Sequence, residues 1–551
     1  MKVHLSILVI LLTAILLSLS ACATQATATA TPTADPRALL RHKDEFFATS
    51  GECAFCHTQL KDESGADVSI DTAWRPSLMA NSARDPYYRA SVRHEVQQHP
   101  EHNATIQDKC ATCHVPMAHT RATALKQPTT MLDDGFFNAN HPDTASALDG
   151  VSCTLCHQIQ AEALGEPQSF SGGFLIDLQT PSGQRNIFGP FPVEAGNATV
   201  MQSVSGYLPV QAEHIRQSEL CATCHNLYTP YIEDNGQLST KLFPEQTPQL
   251  EWLHSDYVNQ SSCQSCHMPP AQGAVRLANT GGTPQAPFSQ HTFIGANQFM
   301  LGVYAANAEA LGITATDEQL QTARQRTQAQ LEQNSATLQL NAAVQANTMK
   351  ITVSVQPLTG HKFPTSFPSR RAWLHLTVRS ADGQVVFESG AWNEQGAIAG
   401  NANDEDETRY EPHYTTITSP DQVQIYEAII ADPNGQVTTT LMRAHHYVKD
   451  NRLLPTGFDK LSAPADIAVY GEAVTDPDFD AGGDTLTYEI PLQGNGPYTV
   501  EAELCYQSIG YRWAEKLRNP ANAEAQTFLS LLNGTPNQPA RIARASLQIQ
   551  P

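Results

Sequence analysis

Ten cysteines stand in five pairs, each with two residues between its members, and a histidine follows every pair at once. The five are Cys53-Cys56-His57, Cys110-Cys113-His114, Cys153-Cys156-His157, Cys221-Cys224-His225 and Cys263-Cys266-His267. Two thiols at that separation can add across the two vinyl groups of one porphyrin edge, and the adjoining imidazole can swing beneath the ring to ligate iron. Cys-x-x-Cys-His is the attachment pattern of c-type haem. Zinc ribbons and extracellular disulfides also use paired cysteines, but neither needs histidine at the next position. Histidine is 20 of 551 residues, so five such coincidences have a chance below about one in a million. All five motifs are complete, and none carries lysine in place of the first thiol or the histidine. Five covalently attached haem c groups are the expected cofactors, with His57, His114, His157, His225 and His267 on iron.

A second axial ligand must come from elsewhere. His4 is lost with the leader, and fourteen other histidines remain. His94 lies on a helical stretch from Tyr87 to Gln98, a rigid platform. His119 follows His114 by five residues and can turn away to serve a neighbouring haem. His214 precedes Cys221 by seven residues on a helical pattern. His291 leads into Thr292-Phe293-Ile294-Gly295, apolar enough to be buried against a ring. His361 sits in Gly360-His361-Lys362-Phe363-Pro364, a stiffened loop between two strands, with His413 as the alternative to it. Met117 and Met268 are thioether candidates that would raise a haem's potential, although packing is the commoner role for methionine. Arg370 and Arg371 suit haem propionates, with solvent exposure as the competing reading.

The elements that must position these side chains fall into two kinds. From Cys53 to His267 the motifs are so dense that short helices, turns and loops are expected to wrap the porphyrins. Residues from Ala305 to Gln333 read as helix, with Thr316 and Gln319 forming a capping box. From Ala336 the period changes to two: Leu338, Leu340 and Ala342, then Ile351, Val353 and Val355, then Ala372, Leu374, Leu376 and Val378, and later Val500, Ala502 and Leu504. Ala381-Asp382-Gly383 and Pro433-Asn434-Gly435 supply hairpin-type turns, and a short helix is expected near Ala521 to Leu532. The fold class is α+β: a mostly α and irregular multihaem cytochrome c domain followed by an antiparallel β-sandwich. The expected divisions are a lipoprotein signal over 1–22, a tether over 23–37, the pentahaem domain over 38–303, a connecting helix over 304–335 and the β-domain over 336–551.

Two features of the second half carry weaker chemistry. Asp476-x-Asp478-x-Asp480 with Gly482-Gly483-Asp484 resembles a loop for Ca2+, but lacks glycine at the sixth position and an acid at the twelfth. A solvated acidic turn is the competing reading. Cys505, outside any pair, reads as a small packed residue.

The motifs Ser82-Ala83-Arg84-Asp85-Pro86, Asp149-Gly150-Val151-Ser152-Cys153-Thr154 and Ser218-Glu219-Leu220-Cys221-Ala222-Thr223-Cys224-His225 resemble those of bacterial multihaem c-type cytochromes. The similarity spans about residues 50 to 300 and is greatest to the group related to the tetrahaem electron carrier of ammonia oxidisers. The Gly360–Pro364 loop with Arg370-Arg371-Ala372-Trp373, Glu411-Pro412-His413-Tyr414 and Lys449-Asp450-Asn451-Arg452-Leu453-Leu454-Pro455 are similar to long members carrying an appended domain. The resemblance implies mostly bis-histidine haems that carry electrons. It also leaves room for an enzyme with one open iron, acting on a small nitrogen or sulfur compound.

Met1 and Lys2 precede an apolar run from Leu5 to Leu19, as in a secretory leader, and Leu19-Ser20-Ala21-Cys22 resembles the bacterial lipobox, which would make Cys22 a lipidated residue. The Ala/Thr-rich stretch after it has too little apolar surface to fold and reads as a tether. Location outside the cytoplasm, anchored to a membrane on the periplasmic or cell-surface side, is therefore expected. The chain carries 55 acidic and 33 basic side chains, a formal charge of −22, which argues against nucleic acid as a partner. It suits redox proteins with a basic docking face. A binding module whose β-domain docks a partner is a further rival to electron transfer.

Overall fold

A computed structural model describes Asp35 and residues 37–492, 496–519 and 522–550. The leader, Cys22 and nearly all of the tether lie outside the described residues. The Ala38 N–H donates to Asp35 O at 2.9 Å, and from Leu39 onward the chain is one unit.

Short helices joined by turns make up the motif-bearing half. The longest, Pro86–Gln98, starts where the Asp85 carboxylate accepts the Tyr87 and Tyr88 N–H groups, with proline at its first position. An acidic N-cap and a proline that needs no donor both favour that start. Two small β-units interrupt the helices. Strand β1 (Arg185–Gly189) runs parallel to β2 (Tyr207–Gln211), and β3 (Leu227–Ile232) pairs antiparallel with β4 (Leu238–Gln246). No helix among the described residues is long and apolar enough to cross a membrane.

The connecting helix is broken into three. Gln298–Ala306, Ala308–Leu311 and Asp317–Asn334 are separate helices, because Gly312 adopts a left-handed conformation at φ 65° and ends the second. The third begins at the Thr316–Gln319 capping box, with both reciprocal hydrogen bonds formed.

The second half is a two-sheet sandwich. One sheet takes β5 (Ala336–Gln345), β6 (Thr348–Pro357), β9 (Thr416–Ile417) and β12 (Asp484–Pro491) in the order β5-β6-β12-β9. The other takes β7 (Arg371–Arg379), β8 (Val385–Ser389), β10 (Ile425–Ala431), β11 (His446–Asp450), β13 (Tyr498–Gln507) and β14 (Ala540–Ile549). Its order is β11-β10-β7-β13-β14, with β8 also on β7. All pairings are antiparallel except the short β9–β12 pair. Ile351, Val353 and Val355 of β6 meet Leu374, Leu376 and Val378 of β7 and Val500, Ala502 and Leu504 of β13 in one buried cluster. Alternation on β6 follows from its more solvated outer face, whereas β7 is buried along nearly its whole length, with His375 and Thr377 between its apolar residues.

The two halves share a core. Tyr231 and Phe243 of the β3–β4 hairpin pack with Met300, Tyr304, Ile430, Trp513 and Phe528. The helix Ala523–Gly534 returns to the helix Pro86–Gln98, where Phe528 and Tyr87 rings stand 5.3 Å apart and Arg93 pairs with Glu524 at 2.9 Å.

Candidate metal centres

Each Cys-x-x-Cys-His motif lies on or at the end of a short helix: Ser50–Ala54, Asn103–His114, Cys153–Cys156, Ser218–His225 and Cys263–His267. Helical spacing of three places both thiols of a motif on one face. The fold gathers the five motifs into one cluster. The Cys53 and Cys153 thiols are neighbours that influence one another electrostatically, as are Cys113 with Cys224 and Cys221 with Cys263. Backbone and side-chain bonds lock these junctions. Ser50 donates its N–H and hydroxyl to Asp149 at 2.7 and 2.6 Å, and Gly172 N–H donates to Thr223 O at 2.6 Å. Cys263 N–H donates to Ser218 Oγ at 3.1 Å. The first motif also meets the segment after the last, where Asn279 N–H donates to Cys56 O at 2.8 Å.

The eleven cysteines from Cys53 to Cys505 are all unpaired. Among the described residues one group of His, Cys, Asp or Glu donors converges tightly enough for a single ion, and it contains no cysteine.

Two histidines from outside the motifs face motif histidines. The His157 and His291 rings lie 6.3 Å apart with planes 19° from parallel, and the His267 and His361 rings lie 6.3 Å apart at 17°. An imidazole nitrogen bonds a transition metal at about 2.0–2.1 Å. Two imidazoles on opposite sides of one ion are thus centred roughly 6 Å apart.

The ring nitrogens are prepared for that geometry. A backbone carbonyl can only accept, so a ring nitrogen bonded to one must carry the proton. His157 Nδ1 donates to Phe188 O at 2.5 Å, His291 Nδ1 to Ser289 O at 3.2 Å, His361 Nδ1 to Lys362 O at 2.9 Å, and His267 Nδ1 to Ile294 O. In the neutral ring Nε2 then holds a lone pair, the state a metal ligand needs. Burial favours that neutral form. It lowers the pKa of His157 and His361 and pushes His291 down to about 3.

The remaining motif histidines have no such partner ring among the described residues; His57 and His114 are half-buried and His225 is exposed. His57 Nδ1 donates to Leu277 O at 2.6 Å, which leaves its Nε2 free in the same way. His114 stacks on Tyr88, centroids 3.7 Å apart and planes 4° from parallel, which holds the ring's rotation. Burial pushes His114 down to about 4.

Three other expected ligands are placed differently. His94 is buried on the helix Pro86–Gln98 with Nδ1 unpartnered, and burial pushes it down to about 4. His119 is not brought opposite a motif histidine; its Nε2 engages Asp108 Oδ1 at 2.9 Å and Thr112 at 3.2 Å. His214 sits in the short 3-10 turn Glu213–Arg216, and its Nε2 donates to Ile159 O at 2.9 Å. Met117 is fully buried and accepts the Thr154 hydroxyl at 3.4 Å, a packing role. Arg371 is tied to Asp404 at 2.8 Å inside the sandwich, while Arg370 Nη1 donates to Thr365 O at 2.8 Å beside the His361 loop.

His413 and the acidic loop form a closed network. Gln424 and Asn451 turn their carboxamide oxygens to backbone N–H groups at 2.9 and 3.0 Å. Their NH2 groups therefore donate to His413 Nδ1 at 2.8 and 3.0 Å. Nδ1 is an acceptor, so Nε2 carries the proton and donates to Asp476 at 3.1 Å. With that tautomer His413 offers no lone pair to iron or to a cation beside Asp476 and Asp484. Lys460 closes the loop itself: its ammonium donates to Ala473 O at 3.2 Å, Phe479 O at 2.7 Å and Asp476 O. A lysine thus places a positive charge on the backbone beside the acidic turn.

Sequence reasoning passed over Glu251, a charged residue in the largely apolar Leu250–Leu253 stretch, which is buried together with Lys362, Asp450 and Arg452 behind His361.

No protein-family model matches the chain, and no curated protein matches it. Among solved structures it is similar to a penta-heme cytochrome c552 from Thermochromatium tepidum, at 17% identity and a TM-score of 0.49, over 94% of this chain and all of that one.

Proposed function

We propose that the protein is a pentahaem c-type cytochrome that passes electrons between redox partners outside the cytoplasm. The observation that carries this reading is the gathering of five Cys-x-x-Cys-His motifs into one cluster, in which two histidines from outside the motifs face motif histidines at 6.3 Å. The ten motif cysteines hold the porphyrins by thioether bonds, and His57, His114, His157, His225 and His267 are the near axial ligands. His291 and His361 would supply the second ligands beside the third and fifth motifs. Haem supplies a one-electron iron couple whose potential follows axial ligand, hydrogen bonding and burial. The chain's own residues do the rest. Carbonyl-bonded Nδ1 atoms orient the rings and raise their donor strength.

Lipidation at Cys22 anchors the protein to a membrane, and the tether lifts it toward soluble partners. The negative surface favours partners with a basic docking face. Ferric electron paramagnetic resonance on the purified holoprotein, with and without cyanide or nitrite, tests the reading after a haem count. Five low-spin haems indifferent to both anions are expected of an electron carrier. A high-spin haem that binds nitrite and turns it over would make the protein an oxidoreductase with one open iron.

A further inference from the structure

We infer that Glu251 is a positioning residue that clamps the His361 loop over its iron, an inference that rests on His361 being an axial ligand. Glu251 lies on the helix Pro248–Leu253, twelve residues ahead of the fifth motif, and is fully buried. Its Oε2 accepts the backbone N–H of Lys362 at 3.2 Å and the hydroxyl of Thr365, on either side of Phe363 and Pro364. Its Oε1 pairs with Arg452 Nη1 at 2.9 Å. One carboxylate from the motif-bearing half thus holds a β-domain loop at two points and its support at a third.

The far side of the loop is held as firmly. Lys362 is fully buried, and its ammonium pairs with Asp450 at 2.7 Å and donates to Ala468 O at 3.0 Å. Arg452 forks onto the same Asp450 through Nε and Nη2 at 2.8 and 2.7 Å. Two acids and two bases make the cluster neutral, which a buried set of charges requires. His361 gains its orientation from this arrangement, since the carbonyl that accepts its Nδ1 proton belongs to Lys362. A ligand borne by a loop this far along the chain needs such a hold to stay on iron. Loosening it lengthens the time His361 spends off the metal, and an external ligand can then enter.

The test compares full-length holoprotein with E251Q, T365V and H361A variants by haem count, ferric electron paramagnetic resonance and the rate of cyanide uptake. H361A is expected to gain one high-spin haem that binds cyanide. E251Q is expected to keep five haems and to take up cyanide at that haem at least ~tenfold faster than wild type, with T365V between them. T365V removes only a hydroxyl, so it decides the matter if E251Q does not fold. Uptake as slow as wild type in the folded variants, with H361A responsive, overturns the clamp and leaves the ligand assignment standing. An H361A protein whose haems all stay low-spin and inert to cyanide overturns the ligand assignment itself.

Discussion

At the scale of single residues, ring orientation has spectroscopic meaning. Near-parallel axial imidazoles donate into the same iron d orbital and separate it in energy from its partner, which gives a rhombic low-spin signal. The 19° and 17° twists therefore lead us to expect rhombic ferric signals from the His157–His291 and His267–His361 haems. Crossed rings would give a strongly axial signal instead. H291A should convert one rhombic signal to high-spin, and added imidazole should restore it; an unchanged spectrum would remove His291 from iron. A second residue sets a pH dependence. Asp484 Oδ1 is buried without a partner, and burial together with Asp476 and Asp478 pushes its pKa up to about 7. Tyr426, Gln424 and His413 are its other polar neighbours. The fold holds a proton that the unfolded chain releases near pH 4, so this contribution is complete below about pH 4 and is lost as pH rises to 7. D484N cannot ionise, and its thermal midpoint should gain on wild type from pH 4 to 7 and keep a constant lead above. A lead that shrinks with rising pH would contradict the assignment.

Elements tell which parts depend on each other. Phe528 is fully buried at the contact between the last helix and Pro86–Gln98, and truncating a buried phenylalanine costs about 3–5 kcal/mol. F528A should lower the unfolding midpoint and expose the C-terminal helix to limited proteolysis while leaving the haem count at five. Much of this level was readable from the chain. The helix at Tyr87, the Thr316 capping box, the alternating strands and the turns at Gly383 and Gly435 all follow from local chemistry. What escaped is non-local. A glycine in left-handed conformation broke the connecting helix at Gly312, and no periodicity reveals that Glu251 meets Lys362 across 111 positions. Among the ligand candidates, His291 and His361 were marked by apolar or proline-stiffened surroundings. His119 and His214 carried the right spacing but found other acceptors nearby, which spacing alone does not disclose.

For the whole molecule, charge governs encounters. A formal charge of −22 creates a long-range field at low salt, where the Debye length is about 30 Å at 0.01 M and about 8 Å at 0.15 M. Electron transfer to a basic cytochrome should slow markedly across that range when followed by stopped flow, while transfer to a neutral small-molecule acceptor should change little. Equal salt dependence for both acceptors would remove steering from the account.

The order of the residues along the chain also sets an order in time. His291 and His361 both come after His267, and the helix that seals the motif-bearing half is near the carboxy terminus. On the proposed reading, a chain emerging amino end first through an export channel presents all ten attachment thiols before either facing imidazole has arrived. Covalent attachment can therefore proceed on an open, accessible strand, and ligation becomes the closing step of assembly. A polypeptide cut short after the last motif should still acquire its porphyrins, yet leave at least two irons waiting.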